Sequence, residues 1–464
     1  MRLGRTFWFG LLIFWLVFGL NPVWALEYKG IQIEGHSLTK YHFQWSDDPD
    51  SPFTSNDDSD QDFYEYLGLE GTVPSKGVNF SFYGRYAKDL DGTPSGSIYQ
   101  DILEASGDDR QRIDIYYAYL EKKDLIPNLD LRLGRMYVYG AEIVHFDGLD
   151  LIKRKALFPW LDVEVFGGAI TQMYSNLSQD IVGGFNLFLR PSSDVRLEFD
   201  AVFYRENSFE AKAYWRLTDW SKLQFDLSFI NDEARYFNID LLSTIPKTGT
   251  IVNINIYRRY HVSIEDDFLF DYTFSVGDGL KEDIRRFYLG QELGYLEFTV
   301  SVSQPIPRLD GLVVYVKYTD RNLVHGAEDE DYYNTDFRKI SAGLSLDNNE
   351  KLPGFQANLG LSYWKEDRDT FLYETESQSY FVDITQDIKN NFQLNLGAYY
   401  KTEDINGMIE DEASTHLYAG LRYYLDRSKD RWAEIRYEYD DDDYFDRFGV
   451  ESISGLTIQF STKF

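Results

Sequence analysis

His145 and Asp147 stand two residues apart, and His261 and Glu265 four apart. An imidazole steadied by a nearby carboxylate is the general-base half of many hydrolytic sites. The other histidines are His36, His42, His325 and His416, and no recognised nucleophile motif accompanies either pair. With 77 Asp and Glu residues in the chain, carboxylates fall beside histidines by chance, so the sequence reads as that of a non-enzyme. Asp57-Asp58-Ser59-Asp60 and Asp440-Asp441-Asp442-Asp443 have the ligand type for calcium. Neither has the glycine and distal Glu of an EF-hand loop, and solvated acidic loops account for both. No metal or cofactor is expected: zinc spacings, phosphate-cradling glycine loops and Cys-x-x-Cys-His are all absent. A net charge of -31 and a pI near 4.5 exclude nucleic acid as a partner.

The remaining charged residues have a second kind of pattern, set by alternation. Val195, Leu197, Phe199, Ala201 and Phe203 share one parity, against Arg196, Glu198 and Asp200 on the other. Phe209, Ala211, Ala213, Trp215 and Leu217 oppose Glu210, Lys212 and Arg216, and Leu223, Phe225, Leu227 and Phe229 oppose Gln224, Asp226 and Ser228. Such period-two runs are strands, here three in a meander. The same pattern recurs from Tyr41 to the final residues, without helical periodicity of useful length.

A soluble sandwich also alternates, so connections must break the tie. Short turns such as 72–77, 191–194, 387–391 and 426–430 tend to alternate with long acidic segments at 46–61, 88–109, 260–286, 322–335 and 440–449. That asymmetry belongs to outer-membrane barrels. The mean hydropathy of -0.41 fits as well, since a barrel strand shows lipid only every second residue. So do 34 Phe, 36 Tyr and 9 Trp, which girdles at both membrane interfaces would use. There is no Cys, so the backbone ladder must carry stability without disulfides.

At the start, Arg2 and Arg5 precede an apolar stretch from Phe7 to Leu20 and small residues at Val23 and Ala25. This predicts a secretory signal over 1–25, cleaved after Ala25, and a barrel over 26–464. The apolar run is shorter than the roughly 20 residues of a spanning helix. Segmentation predicts an all-β, antiparallel up-and-down barrel with an even count of 16–22 strands, 18 or 20 being favoured. Residues 260–286 are left open between an extra strand and a plug.

Leu456, Ile458, Phe460 and the terminal Phe464 resemble the signal that barrel-assembly machinery reads in bacterial outer-membrane porins, although Thr462 departs from its usual larger residue. Leu129-Asp130-Leu131-Arg132-Leu133-Gly134-Arg135 and Val144-His145-Phe146-Asp147-Gly148-Leu149 resemble short stretches of alginate-export-like porins. The general resemblance implies a bacterial outer-membrane location, with lipid and lipopolysaccharide around the barrel and the assembly machinery as a partner.

Inside such a barrel the pore-lining candidates are Arg85, Arg112, Asp114, Arg132, Arg135, Arg196, Glu198, Asp200, Lys212, Arg216, Arg422 and Arg436. The two signs are nearly balanced across the inward positions, whereas a lumen built for polyanions should be mainly basic. The predicted function is passive diffusion of small hydrophilic solutes or ions through a mixed-charge lumen. Cross-strand salt bridges that only stiffen the wall are the competing reading of any single pair. A barrel sleeve holding a periplasmic multihaem cytochrome is the alternative function, and a high strand count would favour it. An outer-membrane barrel enzyme ranks below both.

Overall fold

The computed structural model describes residues 26–28, 30–46, 59–91, 111–171, 181–204, 207–260, 294–324, 336–347, 350–367, 375–389, 391–405, 412–443 and 452–464. In chain order the strands are β1 (Leu26–Tyr28), β2 (Ile31–Ser46), β3 (Ser59–Val73), β4 (Val78–Asp89), β5 (Gln111–Ile126), β6 (Leu129–Tyr139), β7 (Ile143–Lys153) and β8 (Leu161–Ile170). Next come β9 (Ile181–Leu189), β10 (Val195–Phe203), β11 (Asn207–Thr218), β12 (Ser221–Ile230), β13 (Glu233–Ile245), β14 (Thr250–Arg259), β15 (Tyr295–Pro305) and β16 (Leu312–Leu323). The last are β17 (Asp336–Leu346), β18 (Phe355–Asp367), β19 (Thr375–Ile388), β20 (Phe392–Ile405), β21 (Glu412–Tyr424), β22 (Arg431–Asp442) and β23 (Ile453–Lys463).

Each strand from β2 onward pairs antiparallel with the next, and β23 returns to pair with β2 from His36↔Lys463 to Ser46↔Ile453. The ring is therefore closed by 22 strands, the 23 of the sheet less the short β1, which pairs only with β2. This corrects the expected 18 or 20. The undercount has a physical origin in strands that carry bulky apolar groups on both faces. β13 has Tyr236-Phe237 and Leu241-Leu242, and β19 has Tyr380-Phe381-Val382, so alternation fades there.

Faces can be assigned from exposure. Leu133, Leu149, Val165, Phe199, Phe225, Val316, Leu361 and Tyr380 are all exposed and share one face of the sheet through the registers of their strands. A closed ring leaves no sheet edge, and its convex face offers hydrocarbon-compatible side chains, which is the architecture of an integral outer-membrane protein. A circular ring of this strand number, with strands 4.8 Å apart and tilted by about 40°, would be roughly 40 Å across.

Every connection at the end that holds β23's terminus is short, as between β3 and β4, β9 and β10, or β19 and β20. At that end Phe464 exchanges two backbone hydrogen bonds with Gly35, of 2.7 and 2.8 Å, and its ring lies where a Cβ on residue 35 would be. Leu456, Ile458 and Phe460 pair with Phe43, Tyr41 and Thr39 on the outer face. In the β21–β22 turn, Lys429 donates to Asp387 at 2.9 Å, which holds its ammonium above the usual lysine range. The opposite end alternates between long connections outside the described residues and three tight ones, β6–β7, β10–β11 and β12–β13. The segment 261–293, on which the plug question falls, lies outside the described residues, as does 1–25.

Candidate pore lining

On the concave face the ladder brings opposite charges together by register. Asp114 accepts from Arg85 Nη2 at 2.6 Å and from Arg112 Nε at 2.6 Å. Arg132 Nη1 stands 3.1 Å from Asp150, and its Nε 3.7 Å from Glu121. Arg196 reaches Glu198 at 2.7 Å, and Lys212 lies among Glu210, Asp200 and Glu198 at 2.7, 3.3 and 3.8 Å. Arg216 binds Asp194 at the short-turn end. Arg422 pairs with Glu434 at 2.6 Å and lies over the Trp432 ring, while Arg436 pairs with Glu438 at 2.8 Å and lies over Tyr418.

Arg135 is the exception among the lining candidates. It shares the parity of the exposed Leu133, so it sits on the outer face, where it makes a two-bond pair with Asp147 at 2.8 Å beside the stacked Tyr137 and His145 rings. Residues three apart in a strand cannot share a face, and Arg132 had already taken the inner one. His145 Nε2 is bound to the Tyr116 carbonyl at 2.7 Å. His261 and Glu265 lie outside the described residues. A histidine–carboxylate pair that sequence spacing did not reveal is His416 with Asp440, 2.5 Å apart across β21 and β22 and 24 residues apart in the chain.

The segments singled out for their porin likeness form β6 and β7, and this hairpin leaves the wall. Its ladder with β5 ends at Ala118↔Arg135, yet β6 and β7 stay paired up to Tyr139↔Ile143. The departure occurs at a row of glycines, Gly134↔Gly148↔Gly168, continued by Gly167↔Gly183. A Cβ on residue 148 would lie 2.2 Å from the Gly167 carbonyl oxygen, and Gly134 has φ +133°, so only bare backbone allows the sheet to crease here.

Beyond the crease the hairpin tip lies along the inner wall. Asn186 Nδ2 on β9 donates to the Tyr139 carbonyl at 3.1 Å. Gly140 fits so closely that a Cβ there would be 2.5 Å from Asn186 Oδ1 and 3.2 Å from the Asp200 Cβ on β10. Glu142 binds Arg235 at the start of β13, across the width of the five intervening strands β8 to β12. Under the tip, Met136, Val138, Ala141, Val144 and Phe146 pack on Phe166, Val182 and Val202 in a dry cluster. Phe146 and Asp150 are both fully buried although they point inward. The sequence signal for this layer was apolar character on both parities of 136–146 together with the glycine pairs.

Among the described residues, the wall from β15 to β20 is a single layer lined mainly by hydroxyls and amides. Thr299 and Thr319 are 3.0 Å apart, Ser362 and Ser379 2.7 Å, and Thr385 donates to Asn395 at 3.0 Å. Lys317 and Lys401 also face inward, alternating with the exposed Val316 and Tyr400. Tyr418 crosses Gly397 to reach Asp383 at 2.6 Å.

No family model matches the chain, and no curated protein sequence does. Solved structures similar to it include Pseudomonas aeruginosa OpdK with vanillate, at 10% identity and a TM-score of 0.46 over 93% of this chain and 98% of that one. Acinetobacter baumannii OccAB3 is similar at 12% identity and a TM-score of 0.46, over 93% and 99%. The translocation pore of the P pilus usher PapC is similar at 9% identity and 0.46, over 92% and 99%.

Proposed function

We propose that the barrel is a porin-like channel of the bacterial outer membrane, through which small hydrophilic solutes or ions diffuse passively along a mixed-charge lumen. One observation carries the reading: a closed ring of 22 strands whose outer parity is apolar and whose inner parity is hydroxyl, amide and charge. Continuous polar lining across a span that hydrocarbon surrounds is what an aqueous path needs, because each inward group trades bulk water for lumen water at little cost. The inner acids and bases largely neutralise one another, which supports weak charge discrimination rather than capture of a polyanion such as alginate. No catalytic role is assigned to His416 and Asp440. The surroundings of the barrel are lipid and lipopolysaccharide, and the route into the membrane is the assembly machinery that reads Leu456, Ile458, Phe460 and Phe464.

Liposome swelling with sugars, salts and acidic oligosaccharides tests the reading. Entry of small neutral sugars and salts is expected, and proteoliposomes no more permeable than protein-free ones would overturn it. The strand count gives weight to a second reading, a sleeve around a periplasmic multihaem cytochrome, since 22 is the top of the expected range. The inward hairpin weighs against it by narrowing the bore. Co-purification of a haem protein with the barrel would decide for the sleeve.

A further inference from the structure

The β6–β7 tip has two opposed tendencies. Its apolar underside gains by staying on the wall, where Phe146, Val182 and Val202 are removed from water. The same contact seals carboxylates that would gain by leaving it. Asp150, Glu164, Glu198, Asp200 and Glu210 are all buried in this part of the wall, with Arg132, Arg196 and Lys212 as the cations among them. Asp200 has one oxygen 3.3 Å from Lys212, and its other is buried without a hydrogen bond among the described residues. A buried carboxylate short of partners favours any rearrangement that admits water. What holds the far end of the tip against that tendency is the Glu142–Arg235 pair, buried at Glu142 and half-buried at Arg235, and lying at the free end of a lever hinged on the glycine row.

We propose that Glu142 and Arg235 are positioning residues that set the bore and the charge selectivity of the channel, by keeping the β6–β7 tip folded over a buried bank of carboxylates. The inference rests on the channel reading for its functional consequence, though not for its structural one. With the pair intact, the lumen beside β8–β12 is narrow and its acids are hidden. With the pair broken, the tip lifts about Gly134 and Gly148, the bore widens, and Asp150, Glu164 and Asp200 face permeating ions, which favours cations.

The test combines conductance with labelling, in a chain free of native cysteine. In planar bilayers Glu142→Gln and Arg235→Gln should each raise single-channel conductance roughly twofold and shift the reversal potential toward greater cation selectivity. Arg235→Lys should remain close to the parent, and the exchange Glu142→Arg with Arg235→Glu should restore both readouts. In parallel, Val202→Cys, placed beneath the tip, should react slowly with a membrane-impermeant maleimide and about tenfold faster once Glu142→Gln is added. Resistance to unfolding in unheated detergent verifies that each variant has closed its barrel. Parent-like conductance and reversal potential in both single variants would overturn the proposal, as would equally fast labelling of Cys at 202 with and without the pair. A parent protein that conducts nothing would instead sink the channel reading, while the labelling arm would still decide where the tip lies.

Discussion

The walls from β7 to β13 and from β15 to β20 solve the same problem in different ways. Both must present polar groups inward within a ring that shows apolar groups outward. The first does so with charge, and charge near a low-dielectric wall is costly unless paired, so it is bundled around Lys212, Arg132 and Arg196 and roofed by a hairpin. The second does so mainly with Ser, Thr and Asn, whose hydroxyls and amides satisfy one another across strands, with the pairs Arg321–Glu297 and Lys401–Glu403 set among them. A solute path needs hydrated groups that can exchange partners, and of the two walls only the second is free of a covering layer among the described residues. On the proposed channel reading, the roofed wall would serve structure and selectivity and the open one conduction.

The largest expected effect separates the two walls at glycine. Gly148→Val has no room, because its first side-chain atom would meet the Gly167 carbonyl oxygen at 2.2 Å, and a loss of about 3–5 kcal/mol is expected, read as failure to form a heat-modifiable barrel. Gly420→Ala, on β21, meets nothing closer than 3.5 Å and should assemble normally. If both assemble alike, the crease is not what bends the sheet.

Removal of a central cation should come next. Lys212→Met strips Glu198, Asp200 and Glu210 of their shared partner, and a destabilisation of about 3 kcal/mol is expected in denaturant unfolding from detergent. Lys317→Met, at an exposed site on β16, should cost less than about 0.5 kcal/mol. Equal losses would erase the distinction between a bundled and a hydrated wall. A smaller effect is expected at the hydroxyl pair on the open wall: Ser379→Val should cost about 1 kcal/mol through Ser362 while lowering single-channel conductance measurably. Unchanged conductance would move the path away from β18 and β19.

Much of this was legible in the residues. The outer rows of β10, β11 and β12 follow directly from Val195 to Phe229, because every second side chain there is apolar and the connections are short. The row Leu456, Ile458 and Phe460 likewise marks a strand with one apolar side, and β23 pairs with β2 and β22. Strand number was harder, since Phe381 and Leu242 lie on the polar parity and blur the period that defines a strand. The roofed layer was harder still. Met136, Val138, Val144 and Phe146 look like ordinary membrane-facing residues until the register shows that they share a face with Arg132 and Asp150. Pairings such as Glu142–Arg235 arise from a fold in three dimensions that no local period encodes.

Cysteine scanning along β16, β18 and β19 in reconstituted barrels tests the central claim most directly, with a water-soluble maleimide reporting on each position. Cysteines replacing Lys317, Ser362 and Ser379 should label rapidly, and those replacing Val316, Leu361 and Tyr380 should stay protected by lipid. Equal labelling of neighbouring positions, or the opposite parity, would contradict a lipid-facing row outside and a watery one within.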